Sequence, residues 1–132
     1  NGPLRLVDAF LPHVLERPSV IVNVSSGLAW VPYASAPVYS GAKAFLHAWT
    51  MALRAQLAGT PVRVVELLPP VTDTPMAHGV ETPLAPMPPE RVAAALLRGL
   101  ERGDDEVAPG VSSALRWSSR LAPSLTFRLL NR

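Results

Sequence analysis

Apolar residues recur at helical spacing from the start of the chain. Leu4, Val7, Phe10, Leu11, Val14 and Leu15 predict an amphipathic helix over residues 3–16. Pro3 suits its first turn, and Pro18 stops it. Residues 19–25 (Ser-Val-Ile-Val-Asn-Val-Ser) are short, β-branched and nearly continuous in apolarity. They predict a strand buried on both faces, as in a parallel sheet. Gly27, Pro32 and Pro37 mark residues 27–37 as a loop. From 38 to 57, Ala42, Phe45, Leu46, Trp49, Leu53 and Leu57 form one stripe of a long helix, which Gly59-Thr60-Pro61 ends.

A second strand is expected over residues 62–68. Residues 69–89 hold seven of the fifteen prolines, so neither a regular helix nor a central strand fits there. Pro89-Glu90-Arg91 opens a third helix that runs to about Leu100, and Glu106-Val107-Ala108 reads as a very short strand. The remainder is a helix broken at Pro123, and no internal repeat is visible. Helices alternating with strands make this an α/β chain, and two strands joined by one long helix imply a right-handed βαβ crossover. Ligands in such sheets bind outside the carboxyl ends of the strands, here at Ser25-Ser26 and Pro69-Pro70.

Composition narrows the chemistry. The chain has 132 residues with eight glycines, and no two of them stand in a Gly-x-Gly spacing. A complete dinucleotide fingerprint or P-loop is therefore excluded within these residues. The net charge of +2 gives no reason to expect nucleic-acid binding. Its distribution is uneven: residues 1–110 carry a net −2, whereas 111–132 carry Arg116, Arg120, Arg128 and Arg132 with no acid. The preferred reading of that basic, amphipathic tail is a terminal helix with solvated arginines. Contact with a membrane surface is the less favoured one. Without cysteine there is no disulfide and no thiolate nucleophile, which suits a cytoplasmic protein. No apolar run approaches the ~18 residues of a membrane span.

The candidate chemistry lies at the first strand end. Ser26 follows the strand, Tyr39 comes thirteen residues later, and Lys43 stands one helical turn beyond it. An unperturbed phenol ionises near pH ~10, too high for a base at neutral pH. A lysine ammonium one turn away favours the phenolate. A serine hydroxyl can hold and polarise a carbonyl beside it. These parts suit proton transfer to or from a carbonyl or alcohol oxygen.

At these residues the chain resembles the short-chain dehydrogenases/reductases. Residues 21–27 (Ile-Val-Asn-Val-Ser-Ser-Gly) resemble the family's serine strand, and Tyr39-Ser40-Gly41-Ala42-Lys43-Ala44 its Tyr-x-x-x-Lys helix. Residues 69–76 (Pro-Pro-Val-Thr-Asp-Thr-Pro-Met) are similar to its cofactor loop, with Pro70 in place of a glycine. Gly27-Leu28-Ala29 and residues 34–39 (Ala-Ser-Ala-Pro-Val-Tyr) also look like bacterial oxidoreductases of the D-alanyl-transfer-operon type.

The resemblance covers residues 1 to about 110, leaving 111–132 as the tail. It implies the C-terminal half of a Rossmann-like, doubly wound parallel sheet. The family's glycine-rich phosphate loop lies well before its serine. Only 25 residues precede Ser26 here, so the N-terminal nucleotide-binding half is expected to be missing. The resemblance further implies an NAD(P)-dependent oxidoreductase interconverting a carbonyl and an alcohol, with NADPH favoured over NADH. Tyr39 would be the acid/base. Lys43 would lower its pKa and bind the nicotinamide ribose, and Ser26 would orient the carbonyl. Tyr39 would also contact the cofactor, backbone groups of Pro69, Pro70, Val71 and Thr72 would face the nicotinamide, and the Thr74 hydroxyl would bind its amide or a phosphate. A homodimer or homotetramer would be expected, with exposed Phe45 and Trp49 on a dimer face. Asn1 reads as a neighbour of the family's catalytic asparagine.

The alternative is an inactive fragment acting at most as an interaction module. Ser26 would then be only a cap, and Tyr39 and Lys43 surface residues. His13, His47 and His78 share no metal-ligand spacing and read as packing or surface residues, although His78 could touch substrate. Asp104-Asp105-Glu106 reads as a solvated turn, and Trp30 and Tyr33 as substrate walls.

Overall fold

The structure is a computed structural model that describes residues 2–77, 79 and 85–132. The readings of Asn1 and His78 lie outside the described residues.

Three strands form one parallel sheet in the order β1 (Ser19–Val24), β2 (Val62–Leu67), β3 (Glu106–Val107). Helix α1 (Gly2–Leu15) precedes β1, α2 (Pro37–Gln56) joins β1 to β2, and α3 (Pro89–Arg102) joins β2 to β3. Two further helices, α4 (Val111–Leu121) and α5 (Pro123–Leu130), complete the order. This is the expected α/β alternation. Ser19 pairs with Val62 and Val24 with Leu67, so β1 and β2 end together.

Side chains alternate across the sheet. On one face Ile21, Val62 and Val64 pack with Leu53, Leu57 and Trp49 of α2 and with Val7, Leu11 and Val14 of α1. On the other, Val22, Val65, Leu67 and Val107 pack with Val92, Ala95, Leu96 and Leu100 of α3. Gly99 permits the close approach of α3 to β3, since a Cβ there would overlap Val107 Cγ2. Burial of β1 on both faces is not complete: Val20 and Val24 are each 49% exposed. Both point to the face where α3 packs against β2 and β3.

The α2-facing side becomes polar toward the strand ends. Beyond Ile21 come Asn23 and Ser25, and beyond Val64 comes Glu66, all buried. Asn23 Nδ2 donates to Thr50 Oγ1 at 2.9 Å, and Thr50 in turn donates to Leu46 O at 2.7 Å. Polar groups therefore occupy the carboxyl ends of the strands, where ligands of α/β folds bind, and each is hydrogen-bonded as buried polar groups require.

Helix α4 packs on a short 3-10 turn, Gly27–Ala29, that follows β1. Gly27 permits this, because a Cβ would lie 2.8 Å from Ser112 Oγ. Beyond α5, Asn131 Nδ2 donates to Pro32 O at 3.0 Å, and Asn131 Oδ1 accepts from the Ala34 amide. Residues 111–132 are thus tied to the loop after Ser26. Among the described residues, no helix is long and apolar enough to cross a membrane.

Candidate active site

Pro37 opens α2, and the helical period then sets Tyr39, Lys43 and His47 on one face, four residues apart. Lys43 Nζ donates to Val24 O, the last carbonyl of β1, at 3.0 Å. It also lies 5.5 Å from the centroid of the Tyr39 ring. Partial burial lowers the Lys43 pKa, because desolvation disfavours the charged amine. Tyr39 is 43% exposed and open to a ligand. The amide of Tyr33 donates to Ser40 Oγ at 3.0 Å, fastening the loop before α2 to the helix beside Tyr39.

Ser26 is 8% exposed and caps the 3-10 turn: its Oγ accepts from the Leu28 amide at 3.2 Å. This is the capping geometry of the alternative reading, yet it leaves the hydroxyl proton free to donate to another oxygen. The neighbouring Gly27 amide reaches Pro69 O at 3.4 Å, joining the serine turn to the loop after β2. In that loop Pro69, Pro70, Val71, Thr72 and Thr74 are partly buried. Thr72 Oγ1 donates to Pro70 O at 3.0 Å and Thr74 Oγ1 to Thr72 O at 3.3 Å. Met87 closes the loop: its amide donates to Val71 O, and its carbonyl accepts from the Asp73 amide, both at 2.9 Å. Lys43 and Tyr39 thus meet at the end of β1, and the Ser26 turn meets the start of the 69–74 loop.

A second cluster lies behind these residues, and the sequence reading missed it. Glu66 is wholly buried. One carboxylate oxygen accepts from Ser25 Oγ, and the other lies 2.7 Å from His47 Nδ1. His47 is therefore neither a packing residue alone nor a surface one. The hydrogen bond to Glu66 raises its pKa, more than burial lowers it. Its ring also meets Trp30 edge to face, with centroids 5.8 Å apart. The reading of 104–106 as a solvated turn fails for Glu106. That residue faces Glu66 across the β2–β3 ladder and forms a 2.7 Å ion pair with Arg116 of α4. Arg116 is thus one tail arginine that is not simply solvated.

Ligand atoms of His47, Glu66 and Glu106 lie within 4.8 Å of one another, close enough to hold a cation. Both Glu66 oxygens already have partners, however, and the Arg116 guanidinium supplies the positive charge at Glu106. The set is arranged as an ion-pair network. The one signal for it in the sequence is a glutamate inside the apolar run 64–68.

Trp30 also lines an open groove of about 410 Å³ with Val31, Pro32 and, from α5, Pro123, Ser124, Phe127 and Arg128. The loop after Ser26 and the C-terminal helix form its two walls.

The chain resembles known proteins in sequence and in fold. Residues 1–84 match the family model of the short chain dehydrogenases. The uncharacterized oxidoreductase DltE of Bacillus subtilis is 45% identical over 75 residues, 56% of this chain and 30% of that protein. A serine 3-dehydrogenase of Rhizobium radiobacter is 38% identical over 74 residues, again 56% of this chain and 30% of that protein. The crystal structure of a short chain dehydrogenase from Burkholderia cenocepacia, in complex with NADP, superposes with a TM-score of 0.89 at 31% identity. That match covers 98% of this chain and 54% of the other. The chain accordingly spans about a third of the curated relatives and about half of the solved structure. Its three parallel strands are part of a Rossmann-like sheet, and the chain belongs to the short-chain dehydrogenase/reductase family.

Proposed function

We propose that the protein carrying this chain is an NAD(P)-dependent oxidoreductase that interconverts a carbonyl and an alcohol. The observation that carries the reading is Lys43, held between Val24 O and the Tyr39 ring beside the Ser26 turn. The residues fit the nicotinamide end of such a cofactor. Lys43 spends one of its three N–H donors on Val24 and keeps two for ribose hydroxyls. The 69–74 loop is tied to the serine turn at Pro69. NADP in the Burkholderia structure supports NADPH as the favoured form.

A nicotinamide held by Lys43 and the 69–74 loop would supply the hydride. Ser26 donates its free hydroxyl proton to the carbonyl oxygen, polarising it. Tyr39 delivers a proton to that oxygen in reduction and removes one in oxidation. The Lys43 cation faces the phenolate that forms and compensates its charge. Pro69, Pro70, Val71, Thr72 and Thr74 line the cofactor's side of the site. Pro70 lacks an N–H, so fewer backbone donors face the nicotinamide than a glycine would give. Trp30 and the α5 groove supply an apolar wall for substrate. Exposed Leu6 and Phe10 of α1 with Phe45 and Met51 of α2 support association of copies.

The test uses the whole protein, since the sequence here has no Gly-x-Gly spacing to cradle a pyrophosphate. Steady-state oxidation of NADPH is followed against a panel of aldehydes and ketones. Tyr39→Phe should lower turnover by about 10²–10⁴-fold. Turnover unchanged by Tyr39→Phe would reject the reading.

A further inference from the structure

We propose that His47, acting through Glu66, is a positioning residue for Ser26. The inference rests on the oxidoreductase reading given above and adds a residue that the Ser-Tyr-Lys constellation does not contain.

The chain leaves β1 at Val24 and turns sharply into the 3-10 turn at Gly27. Ser26 stands in that two-residue gap, outside the β1–β2 ladder. What fixes its backbone is Ser25, whose amide donates to Leu67 O at 2.9 Å and whose hydroxyl donates to Glu66. Glu66 in turn is gripped by His47, which α2 carries one turn beyond Lys43. A buried carboxylate therefore links the serine turn to the helix bearing Tyr39 and Lys43. Glu66 stands in β2 and His47 in α2, and Ser25 and Glu66 are wholly buried or nearly so. The same imidazole abuts Trp30, in the loop that continues from the serine turn.

The two carboxylates near the ring outweigh the nearby cation and favour this grip. Glu66 from β2 and Glu106 from β3 favour the charged ring of His47 and Arg120 of α4 opposes it, while Arg116 of α4 pairs with Glu106 and Lys43 stands one turn away on α2. An uncompensated carboxylate at Glu66 would be strongly unfavourable, so the pair holds its geometry. Displacement of a catalytic group by about 1 Å can cost about 10²-fold in rate. The link matters for the carbonyl-orienting serine more than for cofactor binding. Lys43 keeps its own bond to Val24 without His47.

The experiment compares His47→Leu with His47→Gln in the whole protein. Leucine removes the donor to Glu66; glutamine keeps an N–H donor without the titrating ring. Two readouts are taken: kcat and KM with NADPH and a turned-over carbonyl, and amide hydrogen exchange at Ser25, Ser26 and Gly27. His47→Leu should lower kcat by about 10–100-fold, leave the KM for NADPH within about twofold, and speed exchange at those three amides. His47→Gln should restore most of both. Should His47→Leu fail to fold, Ser25→Ala carries the same test, since it deletes only the other bond to Glu66. Unchanged exchange and kcat in His47→Leu or Ser25→Ala overturns the proposal, as does equal loss in His47→Leu and His47→Gln. If the wild-type protein reduces no carbonyl, the oxidoreductase reading falls, and the exchange readout alone still decides this inference.

Discussion

At the scale of single residues, the pair of buried Glu66 with partly exposed His47 gives the site a pH dependence whose sign is fixed. The hydrogen bond to Glu66 raises the His47 pKa in the folded chain above its ordinary 6.5. The stabilisation from this pair is complete below pH 6.5 and is lost as pH rises through the higher folded value. The urea midpoint of the wild-type protein should therefore fall across that interval, and that of His47→Gln should fall less. Equal pH slopes for the two would contradict the account. Lys43 runs the other way. Burial lowers its pKa, so its charge is lost at lower pH than for a free lysine. The alkaline limb of activity should include that loss, and a pH–rate profile checks it.

Tyr39 and Lys43 were legible in the sequence because four residues make one helical turn, so a spacing converts directly into a shared face. Ser26 was legible from its place after an apolar strand. The Glu66–His47 pair was not. Its partners lie 19 residues apart on a strand and a helix. Their meeting depends on which strand face points to α2, and periodicity leaves that face unnamed.

At the scale of elements, boundaries fell where proline and glycine chemistry puts them. Pro37 opens α2, Pro89 opens α3, and Gly103 ends α3 with φ of 83°. The irregular 69–89 segment followed from proline content, yet its closure by Met87 onto Val71 and Asp73 depends on tertiary contact. The docking of α4 and α5 was also hidden, because their amphipathic pattern does not say which surface they cover. Gly27 tests that docking. Its missing Cβ makes room for Ser112, which is fully buried. Gly27→Ala should destabilise the protein by about 1–3 kcal/mol through overpacking, read as a lower denaturation midpoint. A midpoint equal to wild type would show that α4 does not pack on the serine turn as described.

At the scale of the whole molecule, the described sheet has β1 at one edge. That strand pairs with β2 alone, and Val20 and Val24 are half exposed beside it. Unpaired apolar strand edges associate. The 132 residues in isolation should thus unfold with a midpoint that depends on protein concentration. A cooperative, concentration-independent transition of a monomer would contradict this.

The central claim, hydride transfer assisted by Tyr39, is tested most directly by isotope transfer in the whole protein. NADPH carrying deuterium at the transferred position is incubated with the carbonyl panel, and the alcohols are analysed by mass spectrometry. The account predicts one deuterium on the carbinol carbon of at least one product, and none with Tyr39→Phe. Protein that binds NADPH yet transfers no deuterium to any carbonyl, or transfers it equally well without the Tyr39 hydroxyl, would contradict it.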